Sequence, residues 1–509
     1  MEKNHFLSLQ NGSDIRGVAT EGIDGEAVNL TTKTVEIIAL AFVAWLSRHT
    51  GKPANQLSIA VGRDSRISGE TLTAAFIEGL VASGAKAVNC GLASTPAMYM
   101  STIFEETQFD GAAMLTASHL PFNRNGIKFF TKEGGLDKPD ITRILETATL
   151  ITTPSADRGE VTTFDLISRY SSFLVDKVRK EINHPEHYAT PLSGFRIVVD
   201  AGNGAGGFYA EKVLQPLGAD TTGSQFLDPD GLFPNHIPNP EDERAMLFIQ
   251  KAVLKNNADL GIIFDTDVDR AAAVDRKGES INRNELIALI GAIVLEEHPH
   301  SAIVTDSITS DGLAEFIGKL GGTHHRFKRG YKNVINEAIR LNNNGQECWL
   351  AIETSGHAAL KENYFLDDGA YLVTKLLIKA AQMRIAEGKD LSELITGLRV
   401  PAESKEFRLK INVDDFKAYG NTVIEQLKDF VGSVPGWTIV PDNYEGIRVA
   451  CDANSGNGWF LLRLSLHDPV IPLNIESDKT GGIAEIGRKL NTFFAKYPDE
   501  ELDKTALTM

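Results

Sequence analysis

Cysteine is scarce in this sequence, and its distribution limits the compartment and the metal sites to expect. The chain of 509 residues has 3 cysteines, and Cys90, Cys348 and Cys451 are widely separated and odd in number. This pattern predicts reduced thiols rather than a disulfide framework, and the lack of a CxxC spacing argues against a zinc site. Residues 1–17 also have no long apolar segment of the kind that signal peptides carry, so we expect a cytoplasmic protein.

Long hydrophobic runs and an excess of positive charge are absent as well. The best membrane candidate, residues 35–46, is shorter than the roughly 20 apolar residues that a spanning helix needs, so it predicts a buried helix. The formal net charge is -17, whereas a nucleic-acid or anionic-membrane surface needs clustered cations. We therefore expect neither nucleic acid nor a membrane as a partner. A small anionic substrate needs only a local convergence of Lys and Arg.

What the sequence does contain is a repeated alternation of strand, loop and helix. Apolar strands that end in polar, glycine-bearing loops lie within residues 57–70, 196–207, 258–270, 301–322 and 348–357. This alternation predicts α/β domains, in which ligands gather at the carboxyl ends of the strands. The length of the chain predicts two to four domains rather than a single core.

The first loop of chemical interest joins two apolar strands that we expect at residues 112–115 and 127–130. The connection and its end carry four polar side chains, those of Thr116, Ser118, His119 and Lys128. Asn125–Gly126 is a typical turn signal between the two strands. A nucleophile, an imidazole and an ammonium group together favour a functional loop. Helix-capping Ser and Thr beside an exposed lysine are the alternative that these residues alone leave open.

An acidic loop follows the apolar strand that we expect at residues 260–264. It carries three carboxylates and a guanidinium group, those of Asp265, Asp267, Asp269 and Arg270. In an extended segment alternate residues face one side, so the three carboxylates can converge, and their repulsion then calls for a cation. Oxygen ligands alone suit Mg²⁺. An EF-hand is excluded because its sixth position would be Arg270 rather than Gly, while a solvated acidic turn stays open.

Residues 202–207 match the pattern GxGxxG after a strand, with Asp220 downstream. A dinucleotide site is one interpretation, and a tight turn that packs a helix on its strand is the other. Asp200 and Ala201 separate the strand from the first glycine, which weakens the dinucleotide interpretation.

The segment 351–357 offers Glu353, Ser355 and His357 after another apolar strand. If the segment is extended, the three side chains face one side and could bind hydroxyl groups and carry a proton. A buried, hydrogen-bonded histidine is the alternative interpretation.

The segment 463–469 offers Arg463, Ser465 and His467 at the end of a further strand. An arginine, a serine and loop amides suit a phosphate group. An ordinary turn with one exposed arginine is the alternative.

Taken together, a serine nucleophile, an acidic metal loop, a hydroxyl-binding loop and an anion loop describe phosphoryl transfer to a polyol. In order and wording these stretches resemble the α-D-phosphohexomutase superfamily, whose members include phosphoglucomutases and phosphomannomutases. The resemblance runs from residues 12–17 to the Arg463 loop. It rests on "TASHLPFNRNGIKF", "DTDVDR", "ETSGH", "VGRDSRISGE" and "PDGLFPNHIPNP".

The resemblance implies an α/β protein of four domains around a central cleft. Three domains would be α/β with mixed sheets, and a smaller α+β domain would end the chain. We place them at residues 1–165 with the phosphoserine loop, 166–297 with the magnesium loop, 298–398 with the sugar-binding loop and 399–509 with the phosphate-binding loop.

The resemblance also implies a role for each matching residue. Ser118 would carry the phosphoryl group and complete a Mg²⁺ site with Asp265, Asp267 and Asp269. The further catalytic residues would be Arg16, Lys128, Arg270 and His357. The first three of these would stabilise the transferring phosphoryl group, and His357 or Lys128 would carry protons. The substrate-binding residues would be His119, Lys332, Glu353, Ser355, Arg463, Ser465 and His467. The glycine-rich loop at residue 202 then becomes a structural turn, without a dinucleotide.

Two loops depart from the wording that is usual in the superfamily. The sugar-binding loop begins Ile-Glu at residues 352–353 instead of Gly-Glu, and Thr354 fills its variable position. The phosphate loop keeps Arg463, Ser465 and Pro469, but has Leu466, His467 and Asp468 in place of Gly, Thr and Glu. The loss of Gly and Thr removes backbone freedom and a hydroxyl donor from the site for the non-reacting phosphate.

We therefore expect a magnesium-dependent phosphohexomutase that acts on small hexose phosphates as a monomer or dimer. Phospho-Ser118 would phosphorylate a hexose monophosphate, and the hexose 1,6-bisphosphate would reorient and return its other phosphate. The bisphosphate would also serve as activator or phosphoryl source. The altered phosphate loop favours, as an alternative, a synthase that releases hexose 1,6-bisphosphate and is rephosphorylated by another sugar bisphosphate. A silent sugar-phosphate-binding regulator is a third hypothesis, against which Ser118 and the acidic triplet argue.

Overall fold

The structure, a computed structural model, describes residues 3–150, 157–465 and 468–507. The chain divides into two compact units. The first unit is Met1–Ile293 with Ser355–Leu394, and the second is Val294–Thr354 with Ile395–Met509. The four domain boundaries expected from the sequence stay a prediction.

Strands and short turns alternate with helices throughout the described residues. The strands are β1 Gln10–Asn11, β2 Asp14–Val18, β3 Ser58–Arg63, β4 Lys86–Leu92, β5 Gly111–Leu115, β6 Arg124–Thr131, β7 Gly134–Gly135, β8 Val161–Thr163, β9 Ile197–Asp200, β10 Leu260–Phe264, β11 Ala271–Asp275, β12 Ser280–Ile281, β13 Ala302–Thr305, β14 Thr323–Arg326, β15 Cys348–Ile352, β16 Ala358–Leu360, β17 Leu366–Asp367, β18 Glu403–Ile411, β19 Trp437–Ile439, β20 Ile447–Cys451, β21 Gly458–Leu462, β22 Val470–Ser477 and β23 Leu502–Asp503. The α-helices are α1 Lys3–Leu7, α2 Thr32–Thr50, α3 Gly69–Ala82, α4 Thr95–Met100, α5 Lys138–Ala148, α6 Leu166–Ile182, α7 Glu243–Asn256, α8 Arg283–Glu297, α9 Asp311–Lys319, α10 Tyr331–Asn343, α11 Gly369–Glu387, α12 Phe416–Val431 and α13 Gly482–Phe494.

The first unit contains two mixed sheets. The larger has the strand order β1-β2-β6-β5-β3-β4-β8, with β7 on β6, and the four consecutive strands β5, β3, β4 and β8 are parallel. The smaller has the order β12-β11-β10-β9, in which β9 and β10 are parallel. The serine loop follows β5 and the acidic loop follows β10, so both loops leave the carboxyl ends of strands, as the sequence predicted.

Helix α2 confirms the prediction that residues 35–46 form a buried helix. Thr31 caps its start by accepting a hydrogen bond from the backbone N–H of Thr34, and Gly51 ends it with a φ of 72°. Its fully buried residues recur every three or four positions and include Val35, Ile38, Phe42 and Leu46. This spacing places them on one helical face, against the larger sheet.

The turn predicted at Asn125–Gly126 is wrong. Both residues lie inside β6, where Asn125 pairs with Gly17 and Gly126 pairs with Arg16 of β2. Gly126 O also accepts a hydrogen bond from Thr116 N at 3.1 Å. Pairing with a strand more than a hundred residues away in the chain therefore overrides the local turn signal.

The second unit contains a parallel group of strands and an antiparallel sheet. β14, β13 and β15 are parallel in that order, with α9 and α10 as their connections. The antiparallel sheet has the order β19-β20-β21-β22-β18-β23 and packs against α12 and α13. Its apolar core includes Phe407, Leu427, Phe460, Leu473 and Leu490. Among the described residues, no helix combines the length and the apolar character that crossing a membrane requires.

A buried tyrosine holds the start of α11 and gives the first testable prediction. The Tyr170 hydroxyl donates to the carboxylate of Asp368 at 2.6 Å, and Asp368 also accepts from Tyr371 N at 2.8 Å and Asn363 Nδ2 at 3.0 Å. Tyr170→Phe should lower the free energy of unfolding by about 1 to 2 kcal/mol, since one buried bond to a carboxylate is lost. Urea denaturation would measure this, with the exposed Tyr188→Phe as control. Equal midpoints for both variants would contradict the prediction.

Candidate active site

Ser118 lies buried at the first turn after β5, in a backbone conformation that is unusual for serine. Its φ is 50°, in the left-handed region, and Thr116 Oγ1 accepts a hydrogen bond from its backbone N–H at 2.8 Å. Its Oγ donates to Asp265 Oδ2 at 2.8 Å and accepts from Arg270 Nη2 at 2.9 Å. The fold therefore joins the serine loop and the acidic loop through the side chain of Ser118.

The acidic loop is a turn and not the extended segment that the sequence interpretation assumed. Residues 266–269 turn sharply, and Val268 has a φ of 68°, which is rare for a β-branched residue. The turn is closed by a hydrogen bond of 3.2 Å from Asp265 N to Arg270 O. Convergence of the carboxylates was predicted correctly, but the turn produces it and the alternation of an extended strand does not.

The three carboxylates are fully buried, which rules out a solvated acidic turn. Oxygen atoms of Asp265, Asp267 and Asp269 lie within 4.8 Å of one another. Burial, together with the charges of Asp269 and Asp267, raises the pKa of Asp265 well above its ordinary value. Burial also acts to raise the pKa of Asp269, but Lys128, His357 and Arg270 outweigh it and hold that pKa below its usual range.

Cations compensate part of this negative charge. Lys128, on β6, donates a short hydrogen bond to Asp269 and lies 3.5 Å from Asp267. Arg270 Nη2 lies 3.2 Å from Asp265 Oδ2. The side chains of Lys128 and Arg270 are themselves almost completely buried. Such a cluster of opposite charges removed from water is costly unless each charge finds partners.

The residues of the acidic loop fit a divalent cation. Asp267 Oδ1 and Asp269 Oδ1 are buried and have no hydrogen-bond partner within the described parts of the chain. A buried carboxylate oxygen without a donor is rare, and its lone pairs suit a positively charged ligand. The donor atoms are all oxygen, and the Ser118 hydroxyl lies beside them, which suits a hard ion such as Mg²⁺.

His119 and Arg16 lie close to this centre. His119 Nδ1 lies 2.5 Å from Arg270 Nη2 and 3.3 Å from Ser118 Oγ. Burial, with the charges of Arg270 and Arg16, lowers the pKa of His119 to about 2. His119 is therefore neutral and accepts the hydrogen bond of Arg270. Arg16 Nη2 pairs with Asp14 at 3.0 Å, and its side chain stays partly exposed.

The pKa of His357 is raised, whereas that of His119 is lowered. Its Nδ1 makes a short hydrogen bond with Asp367 and lies 3.9 Å from Asp269 Oδ1. Burial alone would lower the pKa of His357, but Asp367 and Asp269 outweigh it and raise the pKa to about 9. The ring is therefore cationic at neutral pH. Ser355 Oγ, in the same turn, is buried without a hydrogen-bond partner among the described residues, so its hydroxyl can bind a polar ligand.

The segment that contains Glu353 is a turn in the structure, so its predicted extended conformation is wrong. The left-handed Gly356, with a φ of 91°, makes that turn. In the second unit, Glu353 Oε1 accepts a hydrogen bond from Gly330 N at 2.6 Å. Thr354 Oγ1 donates to Asp306 Oδ2 at 2.7 Å, and Arg329 Nε lies 3.4 Å from the same carboxylate oxygen. Asp306 thereby contacts both the sugar-binding loop and Arg329.

Arg463 forms the second cationic feature of the second unit. Its side chain is buried, and its Nε has no hydrogen-bond partner among the described residues. Arg463 Nη1 lies 4.0 Å from Glu445, and burial together with Arg329 lowers the pKa of Arg463. An arginine remains charged despite such a shift, so this side chain is suited to an anion.

The remaining predicted residues of the second unit are only partly placed. Ser465 Oγ accepts a hydrogen bond from Asp468 N at 3.2 Å, so its hydroxyl helps to shape the loop after Arg463. Lys332 is the second residue of α10. Leu466 and His467 lie outside the described residues.

Three residues that contact the predicted loops were not predicted from the sequence, namely Thr95, Arg329 and Glu445. Thr95 Oγ1 donates to Asp267 Oδ2 at 2.5 Å, and Thr95 N donates to Asp267 O at 2.9 Å. Glu445 accepts hydrogen bonds from Ser307 Oγ at 2.6 Å and from Arg329 N at 3.2 Å. The cationic run 326–332, "RFKRGYK", was a signal for Arg329 in a chain of such negative charge. Nothing local distinguishes Thr95 or Glu445.

The glycine-rich loop at residues 202–207 packs against the acidic loop. A Cβ on Gly204 would lie 2.7 Å from Thr266 O, and Ala205 N donates to that same oxygen at 2.8 Å. The close approach of two backbones explains the glycine, and it supports the structural interpretation over a dinucleotide site.

Comparison with known protein families accounts for most of the chain. Models described as phosphoglucomutase/phosphomannomutase alpha/beta/alpha domains I, II and III match residues 8–153, 172–278 and 282–400 in that order. The chain belongs to the phosphoglucomutase/phosphomannomutase family. The resemblance seen in the sequence is thereby confirmed, and so is the expectation of a phosphohexomutase-type enzyme. Three α/β domains with mixed sheets and a sheet-rich C-terminal domain are confirmed as well.

Members of the phosphoglucomutase/phosphomannomutase family match along nearly their whole length. A phosphoglucomutase/phosphomannomutase of Thermococcus kodakarensis is 30% identical, with 94% of this chain and 96% of the relative covered. A phosphomannomutase/phosphoglucomutase of Pseudomonas syringae pv. tomato is 29% identical, with 96% of each covered. The crystal structure of a family protein from Burkholderia thailandensis is 26% identical and superposes with a TM-score of 0.79 over 99% of each chain.

Proposed function

We propose that this protein is a magnesium-dependent mutase that interconverts hexose 1-phosphate and hexose 6-phosphate through a hexose 1,6-bisphosphate. Ser118 is the phosphoryl carrier. The observation that carries the proposal is the position of Ser118 Oγ, which lies between Asp265 Oδ2 at 2.8 Å and Arg270 Nη2 at 2.9 Å. A hydroxyl between a carboxylate and a guanidinium group can be deprotonated or leave as an oxyanion with its charge compensated.

In this proposal Asp265, Asp267, Asp269 and the oxygen of Ser118 hold Mg²⁺. When bound, the ion supplies positive charge against the oxygens of the transferring phosphoryl group. Asp267 Oδ1 and Asp269 Oδ1, to which no described residue donates a hydrogen bond, support this assignment. Thr95 positions Asp267 through two hydrogen bonds, one to the carboxylate and one to the backbone.

The cations of the first unit stabilise the charge that develops on the phosphoryl oxygens. Arg270 Nη2 already contacts Ser118 Oγ, and the neutral ring of His119 accepts from the same nitrogen and orients it. Lys128 and Arg16 add positive charge around the serine loop. Donors that are fixed before the reaction stabilise a transition state without a cost of reorganisation at that moment.

Proton transfer falls to His357 or Lys128. Asp367 and Asp269 raise the pKa of His357 to about 9, so its ring holds a proton at neutral pH and can donate a hydrogen bond to an oxygen of the substrate. The Nζ of Lys128 is held by Asp269 and Asp267, which directs its N–H groups toward the same centre.

Substrate binding falls to the sugar-binding and phosphate-binding loops. Ser355 offers a hydroxyl that has no hydrogen-bond partner in the described parts of the chain, and Glu353 offers carboxylate oxygens for sugar hydroxyls. Arg463 offers a charged Nε for the non-reacting phosphate. The further substrate-binding residues of the proposal are His119, Lys332, Ser465 and His467.

Phosphorus NMR tests the proposal directly. Phosphorylated enzyme would be incubated with Mg²⁺ and a hexose 1-phosphate or 6-phosphate, and the released species would be identified. The proposal expects the isomeric monophosphate to accumulate over many turnovers. Enzyme that keeps its phosphate in the presence of gluco, manno and N-acetylated substrates would refute it.

A second candidate is a synthase that releases hexose 1,6-bisphosphate as its product. It is favoured by the wording of the phosphate loop, where Leu466 and His467 replace Gly and Thr. A mutase must accept its bisphosphate in two orientations, so a less adaptable phosphate site handicaps the second transfer more than the first. Bisphosphate that accumulates in the same NMR experiment, at the expense of the isomerised monophosphate, would favour this candidate.

Restoring the usual residues tests whether this loop controls retention of the intermediate. The double variant Leu466→Gly, His467→Thr should raise the ratio of isomerised monophosphate to released bisphosphate, because a glycine and an added hydroxyl make the site more adaptable. The exposed Asp468→Asn in the same loop is the matched control. An unchanged ratio, with both proteins folded and phosphorylated, would show that Leu466 and His467 do not set retention.

A further inference from the structure

The stretch "VGRDSRISGE" has no role in the proposed reaction, yet it contains an arginine that is fully buried. Arg66 is 2% exposed and follows β3 by three residues. A guanidinium group cannot lose its proton at ordinary pH, so its burial is costly unless all its N–H groups find acceptors. The identity of those acceptors indicates what Arg66 does.

The hydrogen bonds from the two terminal nitrogens of Arg66 all reach the loop that carries Ser118. Nη2 donates a short hydrogen bond to the backbone oxygen of Ser118 and another to Leu120 O at 2.7 Å. Nη1 donates to Pro121 O at 2.8 Å and to Arg124 O at 2.9 Å. A planar fork of fixed geometry thus gathers four carbonyl oxygens of residues 118–124 around one charge.

Contacts with Asp64, Phe233 and Gly231 hold Arg66 itself in place. Asp64 accepts a hydrogen bond from Arg66 N at 2.9 Å, and its Oδ2 lies 3.3 Å from Arg66 Nε. The ring of Phe233 lies 5.4 Å from the guanidinium carbon. A Cβ on Gly231 would lie 2.5 Å from Ser65 O, so the stretch "PDGLFPNHIPNP" packs directly on the backbone beside Arg66. The stretches "VGRDSRISGE" and "PDGLFPNHIPNP" therefore contact each other beside the serine loop.

The conformation of Ser118 explains why the loop needs this support. A serine with a φ of 50° is held in a region that L-residues rarely adopt, and such residues persist where their surroundings fix them. Arg66 donates to the carbonyl oxygen of Ser118. Thr116 Oγ1 accepts from the backbone N–H of the same residue. The two contacts fix both peptide groups that flank Ser118.

We propose that Arg66 is a positioning residue that holds Ser118 Oγ within reach of Asp265 and Arg270 through its four carbonyl contacts. It touches neither the substrate nor the reacting atoms. This inference rests on the proposed role of Ser118 as phosphoryl carrier. Loss of the Arg66 guanidinium group should therefore slow transfer of the phosphoryl group and leave the affinity for the hexose phosphate nearly unchanged.

The test compares Arg66→Lys with Arg63→Lys in the full-length protein. Lysine keeps the charge beside Asp64 but cannot reach four carbonyl groups at once, whereas Arg63 contacts Glu70 and Asp64 O outside the serine loop. We expect Arg66→Lys to lower kcat, and the single-turnover transfer rate from prephosphorylated enzyme, by about 100-fold, as small misplacements of reacting groups do. KM should stay near the wild-type value. Arg63→Lys should resemble the wild type in both constants.

The outcomes separate this inference from the proposed function. Wild-type enzyme that carries no phosphate on Ser118 by intact-mass analysis would refute the proposed function. Phosphorylated Arg66→Lys with a wild-type transfer rate, or with the loss confined to KM, would refute the positioning role. If Arg66→Lys does not fold, Asp64→Asn takes its place, because it keeps the guanidinium group and removes the negative charge that pairs with it. Asp64→Asn should also lower kcat and leave KM near the wild-type value, but the fall in kcat should be smaller. A wild-type kcat for this variant would refute the inference.

Discussion

Replacing Ser118 with alanine should abolish hexose-phosphate turnover while leaving the protein folded. The rate should fall by at least about 10⁴-fold, because loss of a covalent nucleophile removes the whole reaction path. The stability cost should be only about 1 to 2 kcal/mol, since the lost hydroxyl makes one hydrogen bond to Asp265 and accepts one from Arg270. Intact-mass analysis should find one phosphate on the wild type and none on Ser118→Ala.

Ser83→Ala is the matched control for this variant. Ser83 Oγ donates to the backbone oxygen of Gly79 at the carboxyl end of α3. It should keep its phosphate and its rate. A Ser118→Ala protein that still turned over substrate at the wild-type rate, or still acquired one phosphate, would overturn the assignment of the carrier.

Removing the divalent cation should have an effect of similar size. Chelator-treated enzyme should lose activity and recover it when Mg²⁺ is added. Asp267→Asn should lower kcat by about 10³-fold, because a metal ion contributes several kcal/mol of transition-state stabilisation. The amide keeps the size of the carboxylate and one oxygen near the Thr95 hydroxyl, so the fold should survive. Titration calorimetry should show weakened Mg²⁺ binding by this variant.

The exposed Asp176→Asn on α6 serves as the charge-matched control. It changes the net charge by the same amount and should bind Mg²⁺ as the wild type does. Full activity after exhaustive chelation, or unchanged Mg²⁺ affinity in Asp267→Asn, would mean that the buried triplet is a structural charge cluster held by Lys128 and Arg270.

Local sequence patterns were sufficient to predict the main elements of the fold. The apolar spacing of residues 35–46 predicted α2, and the run at 260–264 predicted β10, because each pattern reflects burial that the element itself imposes. The strand before the serine loop was predicted in the same way. Polar residues directly after such strands also indicated where both loops of the centre would lie.

Features that depend on distant partners were not predictable from local patterns. Asn125–Gly126 has the wording of a turn, but pairing with β2 keeps it in a strand. The acidic loop turns at Val268, a residue that no propensity would place at a positive φ. Arg66 and Thr95 act on loops that are 52 and 172 residues away, and a single sequence does not reveal such contacts.

The separation along the chain between the two halves of the centre has a consequence for how the protein is made. Arg66 can engage the serine loop as soon as the first sheet has formed, but Asp265 and Asp269 follow Ser118 and Lys128 by 147 and 141 residues. At about 5 to 20 residues per second, a ribosome needs roughly 7 to 30 s to add that stretch. During this interval the buried Lys128 lacks its carboxylate partners. We therefore expect the nascent first domain to open locally around β6. Its amides there should become fully protected from hydrogen exchange only after the acidic loop has emerged.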